Sequence, residues 1–253
     1  MKKVALTNFR KISICFLASV LVLLLSSLSP VSAQEAMAQE DKFSMSVSLN
    51  SDAFFGFYPF FAGSYAANDN LDFTFYGILW SGGTGGGWGN WTEFGVGVNF
   101  PVAEGINVNP QLGVLGGNLL SSGAAGPAVF GDGIVPNLTM GLDREKVEGE
   151  IYLGYYLPLR DETTEGETTL AFLHYWANIG FKASPFFSFG AHFEHLINTG
   201  GSEVESSTDT YQWFGPYVQF AKPSGGAFTR FSFGPHLLEG NASFYKLTVG
   251  YDF

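Results

Sequence analysis

Ala242-Ser243-Phe244-Tyr245-Lys246-Leu247-Thr248-Val249-Gly250-Tyr251-Asp252-Phe253 closes the chain, and its reading decides the fold. Successive side chains of a strand point to opposite faces, so a period of two sorts this stretch into two rows. Tyr245, Leu247, Val249, Tyr251 and Phe253 form one row. Phe244, Lys246, Thr248, Gly250 and Asp252 form the other. The first row is wholly apolar or aromatic, whereas the second mixes charge, hydroxyl and glycine. Such a strand separates an apolar medium from a polar one.

The opposite end reads as an export leader. Lys2, Lys3, Arg10 and Lys11 give a basic start, residues 12–28 are mostly apolar, and Val31-Ser32-Ala33 is a small-residue cleavage pattern. The expectation is a signal peptide over 1–33, a short periplasmic segment over 34–42 and a barrel over 43–253. The rival reading of 12–28 is a retained anchor, since the run approaches the ~20 residues of a spanning helix. The single cysteine, Cys15, falls in the leader, so a mature chain has no disulfide, thiolate metal site or cysteine nucleophile. Cleavage leaves eight basic against 23 acidic residues, a net charge of −15. That excludes a phosphate-neutralising nucleic-acid binder. Charged residues are only 14 % of the chain, against ~25 % in average soluble proteins.

Between the ends, strand-like segments of nine to sixteen residues recur, divided by turn signals. They fall near 43–51, 53–66, 71–81, 91–103, 106–117, 134–143, 147–159, 168–183, 186–198, 209–221, 227–238 and 242–253. Short turns such as Asn68-Asp69-Asn70 and Glu104-Gly105 alternate with longer stretches at 82–90, 118–133, 160–167 and 199–208. Transmembrane barrels alternate short periplasmic turns with longer outer loops in this way. The fold expected is therefore all-β, a transmembrane antiparallel up-and-down barrel of about 12 strands. The first pair is the weak point, because one bulged strand there changes the count.

A soluble barrel also alternates, but it covers its solvent face with Lys, Glu and Thr. Here Phe94, Val96, Val98 and Phe100 oppose Glu93, Gly95, Gly97 and Asn99, and Ile151, Leu153, Tyr155 and Leu157 oppose Glu150, Tyr152, Gly154 and Tyr156. The polar face is glycine, amide and aromatic, as suits a lumen.

The last twelve residues closely resemble, and the mature chain loosely resembles, bacterial outer-membrane β-barrels. The resemblance implies residence in the outer membrane of a Gram-negative bacterium, among its lipid and lipopolysaccharide. It also implies that Tyr251 and Phe253 belong to a signal read by the barrel-assembly machinery. In layout the chain is similar to the small monomeric substrate-selective porins, without a motif specific to any.

The inward row collects Glu93, Glu150, His174, Asn178, Lys182, His192, Glu194, Arg230, His236 and Lys246 as lumen-lining candidates, with Asp72, Asp143, Glu148 and Asp252 beside them. Two readings fit, a salt-bridged plug and a path where opposing charges orient a small polar solute. The inward glycines, Gly95, Gly97, Gly154 and Gly250 among them, serve either barrel closure or channel space. In His192-Phe193-Glu194-His195 only the first and third share a face, which favours a hydrogen-bonded cluster with His174 over a metal site. No cofactor, metal or catalytic residue is assigned. G-x-S-x-G is absent, and only the outward His195 leaves a lipid-modifying enzyme open. The function expected is a small passive channel for small polar solutes, mildly cation-preferring because Asp161, Glu162, Glu165, Glu167, Glu203, Glu205 and Asp209 crowd two outer loops. The alternative is a closed barrel acting as adhesin or envelope scaffold.

Overall fold

A computed structural model describes residues 42–80, 91–121, 128–161, 163, 168–202, 205–223 and 225–253. The expected leader, the glycine-rich loop and the acidic residues Glu162, Glu165, Glu167 and Glu203 lie outside the described residues. The described elements are twelve strands: β1 Phe43–Asp52, β2 Gly56–Asn68, β3 Leu71–Trp80, β4 Trp91–Ala103, β5 Ile106–Gly117, β6 Val129–Asp143, β7 Val147–Pro158, β8 Ala171–Ser184, β9 Phe187–Gly200, β10 Thr208–Ala221, β11 Ala227–Gly234 and β12 Phe244–Asp252. Each pairs antiparallel with its sequence neighbour, and β1 closes the ring on β12. That closure sets Val47 against Tyr251 and Asn50 against Thr248. A closed ring pairs every backbone group between strands and leaves no edge, the condition for a sheet to stand in lipid.

An even strand count brings both ends of the barrel sequence to the rim that carries the turns at 69–70, 104–105, 144–146, 185–186 and 222–226. This is the turn end; the opposite rim is the loop end. In the turn at Glu104-Gly105 the second residue has φ +66°, a left-handed conformation that favours glycine, and a side chain there would strike the Asp143 carbonyl.

The alternation survives folding. On β4 Glu93 is fully buried while Val96 is 66 % exposed, so carboxylate faces in and valine out. Phe94, Ile151, Leu153, Val249 and Tyr251 are likewise exposed on the outer wall. An apolar wall of this extent is stable only against an apolar medium.

The expected first pair stands, and two strand ends shift most. β1 and β2 are separate strands paired over Phe43↔Tyr65 to Asp52↔Gly56, which fixes the count at twelve. β6 starts five residues earlier than its sequence pattern, after a register irregularity at Leu115/Gly116 that obscures the alternation. β11 stops at Gly234, four residues short of the expected end, because Pro235 has no N–H for the ladder. The connection to β12 is therefore a nine-residue loop, and His236 forms an isolated bridge to Trp213 instead.

The inward glycines are not empty space. A methyl group at Gly95 or Gly113 would meet the Tyr76 ring or hydroxyl, at Gly154 Tyr152, at Gly180 or Gly190 Tyr217, and at Gly250 Phe228. Each of these glycines leaves room that a neighbouring aromatic side chain occupies. The barrel-closure reading holds for these positions.

Candidate functional site

The inward rows enclose a cavity of about 470 Å³. It runs from Ser46, Phe228 and Asp252 near the turn end up to Trp80, Tyr156 and His174. Its wall combines amides and hydroxyls (Asn50, Gln111, Asn137, Thr139, Thr248) with aromatic faces. Tyr152 and Trp176 stack at 5.8 Å and 17°, and Tyr58 and Trp80 at 4.8 Å and 28°. Of the lumen candidates, Glu150, His174, Asn178, His192, Arg230 and Lys246 line this cavity.

Glu194 lies fully buried in the wall behind it and gathers side chains from four strands. One carboxylate oxygen, Oε1, lies 2.9 Å from His174 Nε2 and accepts from the Tyr211 hydroxyl at 2.8 Å. The other, Oε2, accepts from Lys246 Nζ at 2.6 Å, with His192 Nε2 at 3.2 Å. His192 Nδ1 in turn faces Asn178 Oδ1 at 2.8 Å, so that pairing requires the Nδ1–H form. A carboxylate this deep is tolerable only because its lone pairs are met by a cation and proton donors. The expected His174, His192 and Glu194 cluster thus forms, with Lys246 and Tyr211 completing it. Among the described residues no three metal-ligating side chains converge on one point.

Glu93 is the second buried carboxylate. It accepts from Tyr76 Oη at 2.6 Å and Trp80 Nε1 at 3.3 Å, and Asn137 Nδ2 donates to the same tyrosine oxygen at 2.8 Å. Toward the turn end, Glu148 accepts from Ser188 (2.7 Å), Tyr217 (2.9 Å) and Gln219 (3.0 Å). Arg230 Nε donates to Gln219 Oε1 at 2.7 Å, and its NH1 is 3.5 Å from Glu150. Arg230 also lies over the Tyr217 ring at 5.5 Å.

Two candidates lie elsewhere. Lys182 sits at the turn-end rim, paired with Asp143, and is not in the cavity wall. His236 lies beyond β11, where its Nδ1 accepts from the Leu238 N–H at 3.2 Å, and partial burial pushes its imidazole below the usual range. Tyr251 and Phe253 are exposed on the outer wall with ring centroids 4.8 Å apart, and Phe253 N–H donates to Met45 O at 2.8 Å. His195 faces outward, 2.8 Å from both Tyr175 Oη and Asp209 Oδ1.

Above the cavity the lumen changes character. Phe55, Trp91, Leu120, Phe172, Leu196, Trp213 and Phe244 are buried there, and Tyr211 and Trp213 stack at 4.1 Å. A void of about 10 Å³ lies between Phe55, Trp91 and Leu196. Two segments add to this fill beside the strands: the β1–β2 turn, whose Phe54 and Phe55 sequence reading had placed in the second strand, and residues 118–121, which it had left as loop. The latter are held by Asp132, whose two carboxylate oxygens accept from Leu120 N–H and Ser121 N–H at 2.8 and 2.9 Å. Phe54-Phe55 at a connection and the Asn118-Leu119-Leu120 run were the available signals, since apolar residues in a loop must find cover.

Solved structures share this architecture. The NanC porin superposes with TM-score 0.52 at 10 % identity, covering 83 % of this chain and 98 % of its own. An outer-membrane channel from Pseudomonas putida F1 does so with TM-score 0.52 at 10 % identity, covering 83 % and 95 %. At such identity the likeness establishes the fold. No curated protein matches the sequence. A single family model spans residues 7–253, and by that match the chain belongs to the family of unknown function DUF6733.

Proposed function

We propose that this chain is a passive outer-membrane channel for small polar solutes. The observation that carries the proposal is the 470 Å³ cavity lined with amides, hydroxyls and aromatic faces inside a wall that is apolar outside. A barrel serving only as a scaffold has no need of such a chamber, and twelve strands stand between packed small barrels and aqueous porins. The fold shared with a porin and an outer-membrane channel supports the same reading. In this proposal the leader is removed after Ala33, the turn end faces the periplasm, and the loop end meets lipopolysaccharide. Tyr251 and Phe253 are what the assembly machinery reads.

A modest cation preference belongs to the proposal. Asp161, Glu205 and Asp209 lie at the loop end, and Arg144, Lys146, Lys182 and Lys222 at or near the turns. An acidic mouth concentrates cations and loses that effect as salt shortens the screening length. Swelling of proteoliposomes in a neutral sugar such as arabinose tests transport. Swelling above protein-free liposomes is expected, and its absence with folded barrel overturns the channel. The closed-barrel reading has one observation in its favour, the packed aromatic layer at the loop end. Enzyme chemistry has less: among the described residues the partners of His195 are Tyr175, Asp209 and Gln212, with no serine among them.

A further inference from the structure

The β1–β2 connection is three residues long and sits at the loop end, where a tight turn ordinarily points into solvent. Here it folds inward. Phe55 is only 7 % exposed, its ring 4.5 Å from Trp80, 6.1 Å from Tyr211 and 6.2 Å from His174. Phe54 packs on Tyr211 at 4.8 Å. The turn therefore spans the lumen from β1–β2 to β8 and β10. Trp80 and His174 are also the upper wall of the cavity, so the chamber ends where the Phe55 ring begins.

What holds the turn is local and non-covalent. Asp52 Oδ1 accepts from the N–H groups of Phe54 at 2.9 Å and Phe55 at 2.6 Å, which bends the chain into the barrel. Ala53 N–H donates to Tyr245 O at 3.1 Å. On the other side Gly56 takes φ +70°, a left-handed joint at the start of β2. Asp52 holds the turn to both backbone N–H groups through Oδ1 alone. The other inward segment is the more firmly fixed, because Asp132 satisfies it with both oxygens and Leu170 N–H donates to Leu120 O at 2.9 Å. It forms a fixed seat, and the turn is the movable part.

We propose that residues 53–55 are the gate of the barrel: Phe54 and Phe55 close the chamber at the loop end, and Asp52 is the latch. This rests on the channel reading. Opening begins as the turn swings out on Gly56 and leaves the packed layer around Trp91, Leu120 and Leu196, with the twelve strands unchanged.

The test is single-channel recording of purified, folded protein in planar bilayers with potassium chloride, comparing wild type, Phe54→Ala/Phe55→Ala and Asp52→Ala. Heat-modifiable migration in detergent gels verifies folding of each. The double alanine variant removes the stopper and is expected to raise conductance or open time. Asp52→Ala keeps both rings but loses two backbone hydrogen bonds, and an increase in open probability of about tenfold is expected, the effect of roughly 1.4 kcal/mol. If wild type conducts and the double variant conducts no better, the gate is overturned while the channel stands. If neither conducts though folded, both fall. If the double variant opens and Asp52→Ala does not, Asp52 is not the latch and that half of the proposal is withdrawn.

Discussion

Placing arginine at Val96 probes the wall that the whole reading depends on. Val96 is 66 % exposed on the outer face, with Phe75 and Leu112 as its outward-facing cross-strand neighbours. The outward row of β4 runs from Phe94 to Val102, so its midpoint is Val98. Two residues at ~3.3 Å each, projected through a tilt of ~40°, put Val96 about 5 Å from that midpoint. An arginine near the bilayer midplane costs about 2–4 kcal/mol. With an m-value of roughly 2–3 kcal/mol per molar, the urea midpoint in lipid vesicles should fall by about 1 M. Thr139→Arg is the companion, because Thr139 lines the cavity on the inner face. A hydrated lumen accommodates that charge, so its cost should stay below ~1 kcal/mol. A cheaper Val96→Arg would mean that the outer wall does not face lipid, and equal penalties at the two positions would contradict a hydrated interior and favour a packed plug.

Lys246→Met leaves the Glu194 carboxylate buried without its cation, and a loss of about 3–5 kcal/mol in unfolding free energy is expected. Adding Glu194→Gln should recover part of that loss; no recovery would show that Lys246 acts through packing alone. Gly97→Ala drives a methyl group into the Pro110 carbonyl, a backbone atom that cannot move aside, so roughly 1–3 kcal/mol is expected in the same titration. Gly154→Ala meets only the flexible end of Tyr152 and should cost less, and the reverse order would refute the aromatic packing over Gly154. Under a salt gradient the reversal potential should report modest cation preference that fades with ionic strength; clear anion selectivity would remove the acidic mouth from the account.

The strands were legible because the outer wall tolerates little but apolar side chains, so alternation is nearly unbroken along Phe94 to Phe100 and Tyr245 to Phe253. β4 and β5 were readable to the residue, since Glu104-Gly105 and the flanking alternation leave no other register. The start of β6 was not, because a register irregularity removes the period-two signal there, and the end of β11 was misplaced because Pro235 interrupts pairing without interrupting the apolar pattern. Within the lumen facing was readable, and so was the meeting of His174 with Glu194 on neighbouring strands, but the partnership with Lys246 was not. Parity alone put Glu194, His174 and Lys246 on the inner face. That Lys246 reaches Glu194 follows from the curvature of the sheet, which brings β12 near β9 past two intervening strands. The inward turn was hidden for a similar reason. Asp52 bends Asp52-Ala53-Phe54-Phe55-Gly56 locally, but no residue near it in sequence marks which side of the sheet is the lumen. The direction is set by the cover that Trp80 and Tyr211, distant in sequence, offer to two exposed rings.

Single-channel current through the wild-type protein, inserted folded into a planar bilayer, tests the central claim most directly. The account predicts discrete conductance steps, infrequent because the β1–β2 turn occupies the lumen and made more frequent when Phe54 and Phe55 are trimmed to alanine. A bilayer that stays silent with wild type and the trimmed variant alike, both shown to be folded and inserted, would contradict it.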